Sequence, residues 1–463
     1  MALTFSGLQL LGEVGALMVI PLYSSMSVEL GLSASQVSWA LTSTLLMGAV
    51  STALLAKIGD LFGHRQVILM CTATVILGYV ISALSTNFET LLVGRALTGI
   101  VATQALYIGI MNDRLTAADR NKAVGILAGG QAVGVTLGFG LGGVLIALGA
   151  TWRTAFWIGA LLTVGGLIAM YAWGSDSDAK ERSGSKPKSI NVIGLLVLGV
   201  SLTLLCVGIG QSTSWGILSV KTLTCVLLGV GGIAAGLYQE SRSANPLVDT
   251  SLVGSSRVLP VFGAFVAIGI VGIMMLNFVM GWAQTPIEIG YGFGFSPLIA
   301  GLLFVPMTVS GIVAGKYVPR VLRRTRAKTP LGVSAVCLSL SCLFMYFAHS
   351  SVVGTMFGIF FYGLSFSALL TTAISVIASQ APQESGAGTA SIYVSVSLAS
   401  SSLGTAIYAA IMGLNPTAEG MVPAVNYSIG FLAAAVVGLV AVAAAAFLSK
   451  AVSLSTEDTV VAH

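Results

Sequence analysis

The chain has 463 residues, 56% of them hydrophobic and 8% charged, with a net charge of +5. A soluble domain carries roughly 25% charged residues, and no soluble fold hides this much apolar surface, so a water-soluble globular protein is excluded. Ten-residue strands of alternating hydrophobicity are missing, which excludes a membrane barrel, and the small positive charge is spread over short loops and is no nucleic-acid footprint.

A helix needs roughly 20 apolar residues to cross a hydrocarbon core ~30 Å thick. Fourteen runs of about that length fill the chain, at 4–28, 36–57, 66–84, 89–111, 123–148, 154–173, 190–209, 219–238, 258–282, 296–315, 329–347, 352–377, 386–413 and 426–449. The expected fold is therefore an all-α polytopic membrane protein with fourteen transmembrane helices. The first run has no basic stretch before it and no small-residue cleavage site, so it reads as a retained helix. Two polar stretches, Gly174–Ser189 and Gln239–Arg257, bracket the seventh and eighth runs. This predicts a six-helix lobe over 1–174, a linker with two accessory helices over 175–255, and a six-helix lobe with a short tail over 256–463. A weak repeat supports the division: Ala56–Arg65 aligns with Gly315–Arg324, setting Lys57 on Lys316 and Arg65 on Arg324. Duplicated halves about a central site are a common transporter plan.

Charge sets the orientation. Eighteen of the 21 lysines and arginines fall on the N-terminal side of the bilayer, leaving Arg153 and Lys221 opposite and Arg95 inside a run. The positive-inside rule then predicts both termini in the cytoplasm and the chain in the cell inner (plasma) membrane. The five cysteines sit inside apolar runs without Cys-x-x-Cys spacing, and His64, His349 and His463 are scattered. No metal site or cofactor is expected.

Among sixteen acidic residues, Glu13 alone lies deep in a run. It sits about 15 Å along the first helix, near the bilayer middle, where a lone carboxylate must be protonated or paired. In the turn after the second run, Gly63 permits a tight reversal, and Asp60 is placed to pair with Arg65 or to cap the next helix. Arg95 is the one base well inside a run, about 6 Å from the level of Glu13. Two readings stay open for this pair: a switch in which Arg95 alters the proton affinity of Glu13, or a permanent salt bridge that fixes packing. Glu288, near the outer end of the ninth run, is a second proton candidate or a solvated loop acid. In the fifth run Gly134, Gly138, Gly142 and Gly143 clear a face for close helix approach. A phosphate-binding loop is the rival reading there, but no Lys-Ser or Lys-Thr follows and the run lies in mid-membrane.

These segments carry a resemblance. The stretch Ala56–Arg65 resembles the cytoplasmic Gly-x-x-x-Asp-Arg-x-Gly-Arg loop of the major facilitator superfamily, with Ala56 and Leu61 departing from it. Arg95-Ala96-Leu97-Thr98-Gly99 is similar to its Arg-x-x-Gln-Gly motif. The glycine run resembles its antiporter signature, with Phe139 where the family has proline. Trp152-Arg153-x-x-Phe156 and Pro246-Leu247-Val248-Asp249 resemble segments of the fourteen-helix drug:proton antiporters. The resemblance implies that Asp60, Gly63 and Arg65 form a conformational latch, that an acid at the depth of Glu13 serves proton coupling, and that the first and fourth helices line a central cavity.

Expected cavity residues are Met18, Gln104, Tyr107, Gln131, Asn277, Trp282, Gln284, Tyr362, Phe366 and Tyr393, a mixture of aromatic, amide and thioether groups suited to bulky amphipathic substrates. The expected function is a proton-coupled secondary transporter that exports hydrophobic or cationic small molecules. Its partners would be the substrate, protons and the lipid bilayer, and the protein would work as a monomer. One alternative is a transporter, exporter or importer, of one specific metabolite. The other is a receptor or scaffold on the same fold that transports nothing. No Ser/His/Asp set, metal cluster or nucleotide loop points to an enzyme.

Overall fold

Apolar runs in a lipid environment must satisfy their backbone groups internally, and helices are the local solution. The computed structural model describes residues 2–32, 34–100, 103–115, 117–174, 192–242, 259–322, 325, 328–380, 386–414 and 422–448. Its helices are α1 (Ala2–Leu17), α2 (Tyr23–Leu30), α3 (Ala34–Phe62), α4 (His64–Ala83), α5 (Phe88–Thr98), α6 (Thr103–Arg114), α7 (Ala117–Ala147), α8 (Trp152–Trp173) and α9 (Val192–Gly210). They continue with α10 (Ser212–Trp215), α11 (Val220–Arg242), α12 (Leu259–Gln284), α13 (Pro297–Leu302), α14 (Val305–Leu322), α15 (Lys328–Ala348), α16 (Val352–Gln380), α17 (Gly386–Met412) and α18 (Ala424–Phe447).

Twelve helical spans among the described residues are long and apolar enough to cross a membrane, against the fourteen runs expected. The difference arises at two runs. The run 89–111 is broken between α5 and α6: the Gly99 and Ile100 amides close short turns onto Ala96 and Leu97, 3.0 and 3.1 Å away. There α3 crosses so closely that a Cβ on Gly99 would lie 2.1 Å from the Thr44 carbonyl oxygen. The run 190–209 is the helix α9, whose apolar part is the shorter segment Leu196–Gly210. The first run also bends. Pro21, which cannot donate to the helical ladder, sits in a 3-10 turn over Ile20–Leu22 between α1 and α2.

Packing repeats along the chain. In α1–α8, helix α7 lies along α1, α4 packs on α5 and α8, and α3 packs on α5. In α12–α18, helix α17 lies along α12, α15 packs on α16 and α18, and α14 packs on α16. The two sets meet along two antiparallel seams, α7 on α13 and α14, and α17 on α3 and α6. Helices α9 and α11 pack on one another; α9 leans on α3 and α17, while most of α11 is uncovered by protein. Their small residues set the contact: a Cβ on Gly229 would lie 2.8 Å from the Leu205 backbone nitrogen.

Candidate functional site

Helix α1 owes its close neighbour to glycine. At four-residue spacing Gly130, Gly134, Gly138 and Gly142 present no side chain toward α1. A Cβ on Gly134 would lie 2.8 Å from the Leu10 carbonyl oxygen, on Gly138 3.0 Å from Leu17 Cβ, and on Gly142 2.3 Å from the Met18 carbonyl oxygen. The two helices therefore run backbone against backbone. Gly143 does not belong to this stripe. It faces the other seam, where a Cβ would lie 2.2 Å from Leu298 Cα.

Across the α1–α7 contact stands Glu13. Gln131 of α7 donates its amide to Glu13 Oε1 at 2.9 Å, and Gln9, one turn earlier on α1, donates to the same oxygen at 3.0 Å. A half-buried carboxyl in the membrane needs such partners, because an unsolvated charge or unpaired polar atom in lipid is costly. Two amides on Oε1 leave Oε2 as the oxygen on which a proton would reside. The arrangement can hold either protonation state, with a stronger bond to the charged one.

Arg95 lies in the last turn of α5 and is fully buried. Its Nε donates to the Ala40 carbonyl at 3.2 Å, and its guanidinium lies 5.8 Å from the Phe156 ring centre. Its two terminal nitrogens make no hydrogen bond among the described residues. In this conformation Glu13 and Arg95 therefore hold different partners. Tyr79 of α4 packs against both α1 and α8. Its ring fits because Gly15 and Gly159 lack side chains: Cβ atoms there would lie 2.6 Å from its hydroxyl and 2.9 Å from its ring.

At the turn from α3 to α4, Gly63 has φ of +101°, a conformation that favours glycine. Arg65 donates to the Tyr171 carbonyl at 2.6 Å and lies over the Tyr171 ring, tying α4 to the end of α8. The side chain of Asp60 lies outside the described residues. Glu288 is exposed in a 3-10 turn, Ile287–Ile289, away from the buried helices.

The expected cavity residues fall into separate places. Met18 is buried in a group with Tyr79, Trp152 and Phe156. Tyr107 stacks on Phe5 at 4.8 Å, Tyr393 stacks on Phe265 at 5.1 Å, and Tyr362 meets Phe366 at 5.6 Å beside Gly272. Asn277 turns back to the Ile273 carbonyl at 2.8 Å. Gln104 and Gln284 are partly buried. Trp282 belongs to an aromatic group with Tyr291, His349 and Tyr427, centroids 5.3, 4.5 and 5.3 Å away. Gln131, expected in the cavity, is instead the partner of Glu13.

Several contacts escaped the sequence reading. Phe139 stacks on Phe304 at 5.0 Å and 18° across the seam, and the hydroxyls of Thr136 and Thr308 meet beside it. Glu29 of α2 accepts from Trp152 Nε1 at 2.6 Å and pairs with Arg153, whose other nitrogen donates to the Ser85 carbonyl at 3.0 Å. The hydrogen bond from Arg153 holds the Glu29 carboxyl below its usual range. Gln9 had a signal, its i,i+4 spacing to Glu13. The contacts between distant helices had none.

The family model described as Major Facilitator Superfamily matches residues 5–405. The tetracenomycin C resistance and export protein of Streptomyces glaucescens is 27% identical over 391 residues, covering 83% of this chain and 70% of that protein. The multidrug resistance protein Stp of Mycobacterium tuberculosis is 24% identical over 396 residues, covering 83% and 71%. An uncharacterised MFS-type transporter of the same organism is 29% identical over 330 residues; the match takes in 68% of this chain but 44% of that protein. Among solved structures, the human organic anion transporter MFSD10 (TETRAN) superposes with a TM-score of 0.66 at 15% identity, covering 96% of this chain and 98% of that one. A peptide transporter POT in complex with sulfate gives 0.65 at 16% identity, covering 98% and 95%.

Proposed function

Because the chain belongs to the major facilitator superfamily, we propose that it is a proton-coupled secondary transporter that exports hydrophobic or cationic small molecules by alternating access. The observation that carries this reading is Glu13, a membrane-embedded carboxyl held by Gln9 of its own helix and Gln131 of α7. An intramembrane acid is a candidate functional residue by default, and one held by neutral amides can exchange a proton without breaking an ion pair. The export direction and the substrate class draw on relatives named for tetracenomycin C export and multidrug resistance.

In this reading residues 1–174 and 256–463 are two lobes that rock about a midplane site, and 175–255 hold the linker and two accessory helices. The fourteen-helix count counts the broken pair α5 and α6 as one span and α9 as another. Both termini lie in the cytoplasm, and one chain is the working unit. Asp60, Gly63 and Arg65 act as the latch at the basic face. Proton binding at Glu13 alternates with substrate binding at the midplane site between the lobes. Arg95 takes up its unpaired bonds when α4 and α5 shift, and Glu288 is the secondary proton site.

The test is proton flux in proteoliposomes across a panel of lipophilic cations and neutral amphiphiles. Substrate-driven proton movement with several panel members supports the reading. Coupling to one compound alone would replace it with a dedicated metabolite transporter, and binding without flux of any solute would replace it with a receptor.

A further inference from the structure

Helix α7 touches two partners with two faces about 100° apart, the step between successive residues. Gly134, Gly138 and Gly142 lie on α1, whereas Phe139 and Gly143 lie on α13 and α14 of the second set of helices. Gln131, on the α1 side, and Phe139, at the seam, are eight residues apart, about 12 Å along the axis.

We propose that Gln131 is a positioning residue that couples Glu13 to the seam between the two sets of helices, with α7 as the rigid element between them. The proposal rests on the reading that Glu13 carries the transported proton. An amide bond to a carboxylate is charge-assisted, so ionised Glu13 holds Gln131 firmly and protonated Glu13 holds it weakly. Any shift of α7 that follows has little slack to absorb it. Toward α1 the backbones are already in contact at the glycine stripe. Toward the seam, Phe139 is stacked on Phe304, Thr136 meets Thr308, and a Cβ on Gly301 would lie 3.1 Å from the Phe139 backbone. Closely packed surfaces transmit displacement between discrete arrangements. By linkage the effect runs both ways: opening the seam draws Gln131 from Glu13 and changes its proton affinity.

The groups around Glu13 that share its titration are few. From α4 comes Tyr79, in electrostatic range; from α6, Tyr107, stacked on Phe5 two turns away. Helix α8 places Arg153 and Tyr171 at its two ends, and α7 places Asp119, Arg120 and Lys122 at its first turns. Arg95 of α5 donates through Nε to Ala40 and lies 5.8 Å from the Phe156 ring centre.

The experiment is hydrogen–deuterium exchange of segment 297–308 in lipid nanodiscs, at an acid and an alkaline pH, corrected for intrinsic exchange. It compares full-length wild type, Glu13→Gln and Gln131→Leu. Wild type should show pH-dependent protection of this segment, and both variants should lose the dependence. In Gln131→Leu, Glu13 should still take up a proton, with a shifted pH dependence because the carboxyl has lost one donor. A wild-type pH response in Gln131→Leu, with the response lost in Glu13→Gln, overturns this inference and leaves the Glu13 reading intact. A wild-type response in Glu13→Gln overturns that reading, and the inference with it. If Gln131→Leu fails to fold, Gln131→Met removes the donor at similar length, and the same outcomes apply. A merely structural Gln131 would lower stability in both variants without flattening the pH response.

Discussion

Among single residues, the proposed proton coupling turns on Glu13 and the groups that hold it. Glu13→Gln keeps the volume and can still accept from Gln9 and Gln131, but it cannot release a proton. Uptake driven by an imposed pH gradient should fall at least about tenfold, which corresponds to about 1.4 kcal/mol, while substrate binding by the detergent-solubilised protein stays near wild type. Equal losses of binding and transport would point to a structural role instead. Glu13 was legible in the sequence because one acid in a long apolar run stands out. Its partner Gln131 was not, since nothing in a single sequence says which helices touch. Phe139 was read only as a missing proline, yet it forms the stack on Phe304. A departure from a family motif can thus be a contact in its own right.

The glycines give a second residue-scale test. Gly140 has open space where a Cβ would go, whereas Gly142 faces the Met18 carbonyl oxygen at 2.3 Å. Gly140→Ala should leave transport and thermal stability unchanged or slightly raise stability, because alanine is favoured over glycine in a helix. Gly142→Ala must push α7 off α1, and Gly138→Leu or Gly142→Leu should impair transport more than Ala147→Leu. Matched activity of Gly140→Ala and Gly142→Ala, at matched expression, would remove the close-packing argument.

At the scale of elements, boundaries were the least legible part. The runs were found, but Pro21 ends α1 early, and the run 89–111 breaks where α3 crosses Gly99. Hydropathy cannot report either, because both depend on local backbone geometry and on a neighbour. The end of α15 offers a pH test. His349 is buried against Trp282 at 4.5 Å, and its Nδ1–H donates to the Met345 and Tyr346 carbonyls at 3.0 Å. Burial lowers its pKa from the usual 6.5. The unfolded chain therefore binds this proton more readily than the folded one. Stability from His349 packing is full above pH 6.5 and falls as pH drops toward the lowered value. His349→Phe should show a smaller decrease in Tm on acidification through that window than wild type. Parallel Tm–pH curves would show that His349 is not responsible.

At the scale of the whole molecule, the repeated packing of α1–α8 and α12–α18 is what the alignment of Ala56–Arg65 with Gly315–Arg324 hinted at. The repeat was visible only where both copies kept charged residues; elsewhere apolar side chains interchange too freely to leave a signal. The proposed orientation rests on the basic loops. Single cysteines in 174–189 and in 283–295 should react with a membrane-impermeant thiol reagent from opposite sides of sealed vesicles, and labelling from one side would reject the topology. The central claim is that proton movement through Glu13 drives solute export. The most direct measurement is the proton flux elicited by substrate in proteoliposomes, wild type against Glu13→Gln, at equal reconstitution. Substrate should evoke proton flux in the wild type and none in the variant. Wild-type flux from well-folded Glu13→Gln would contradict it.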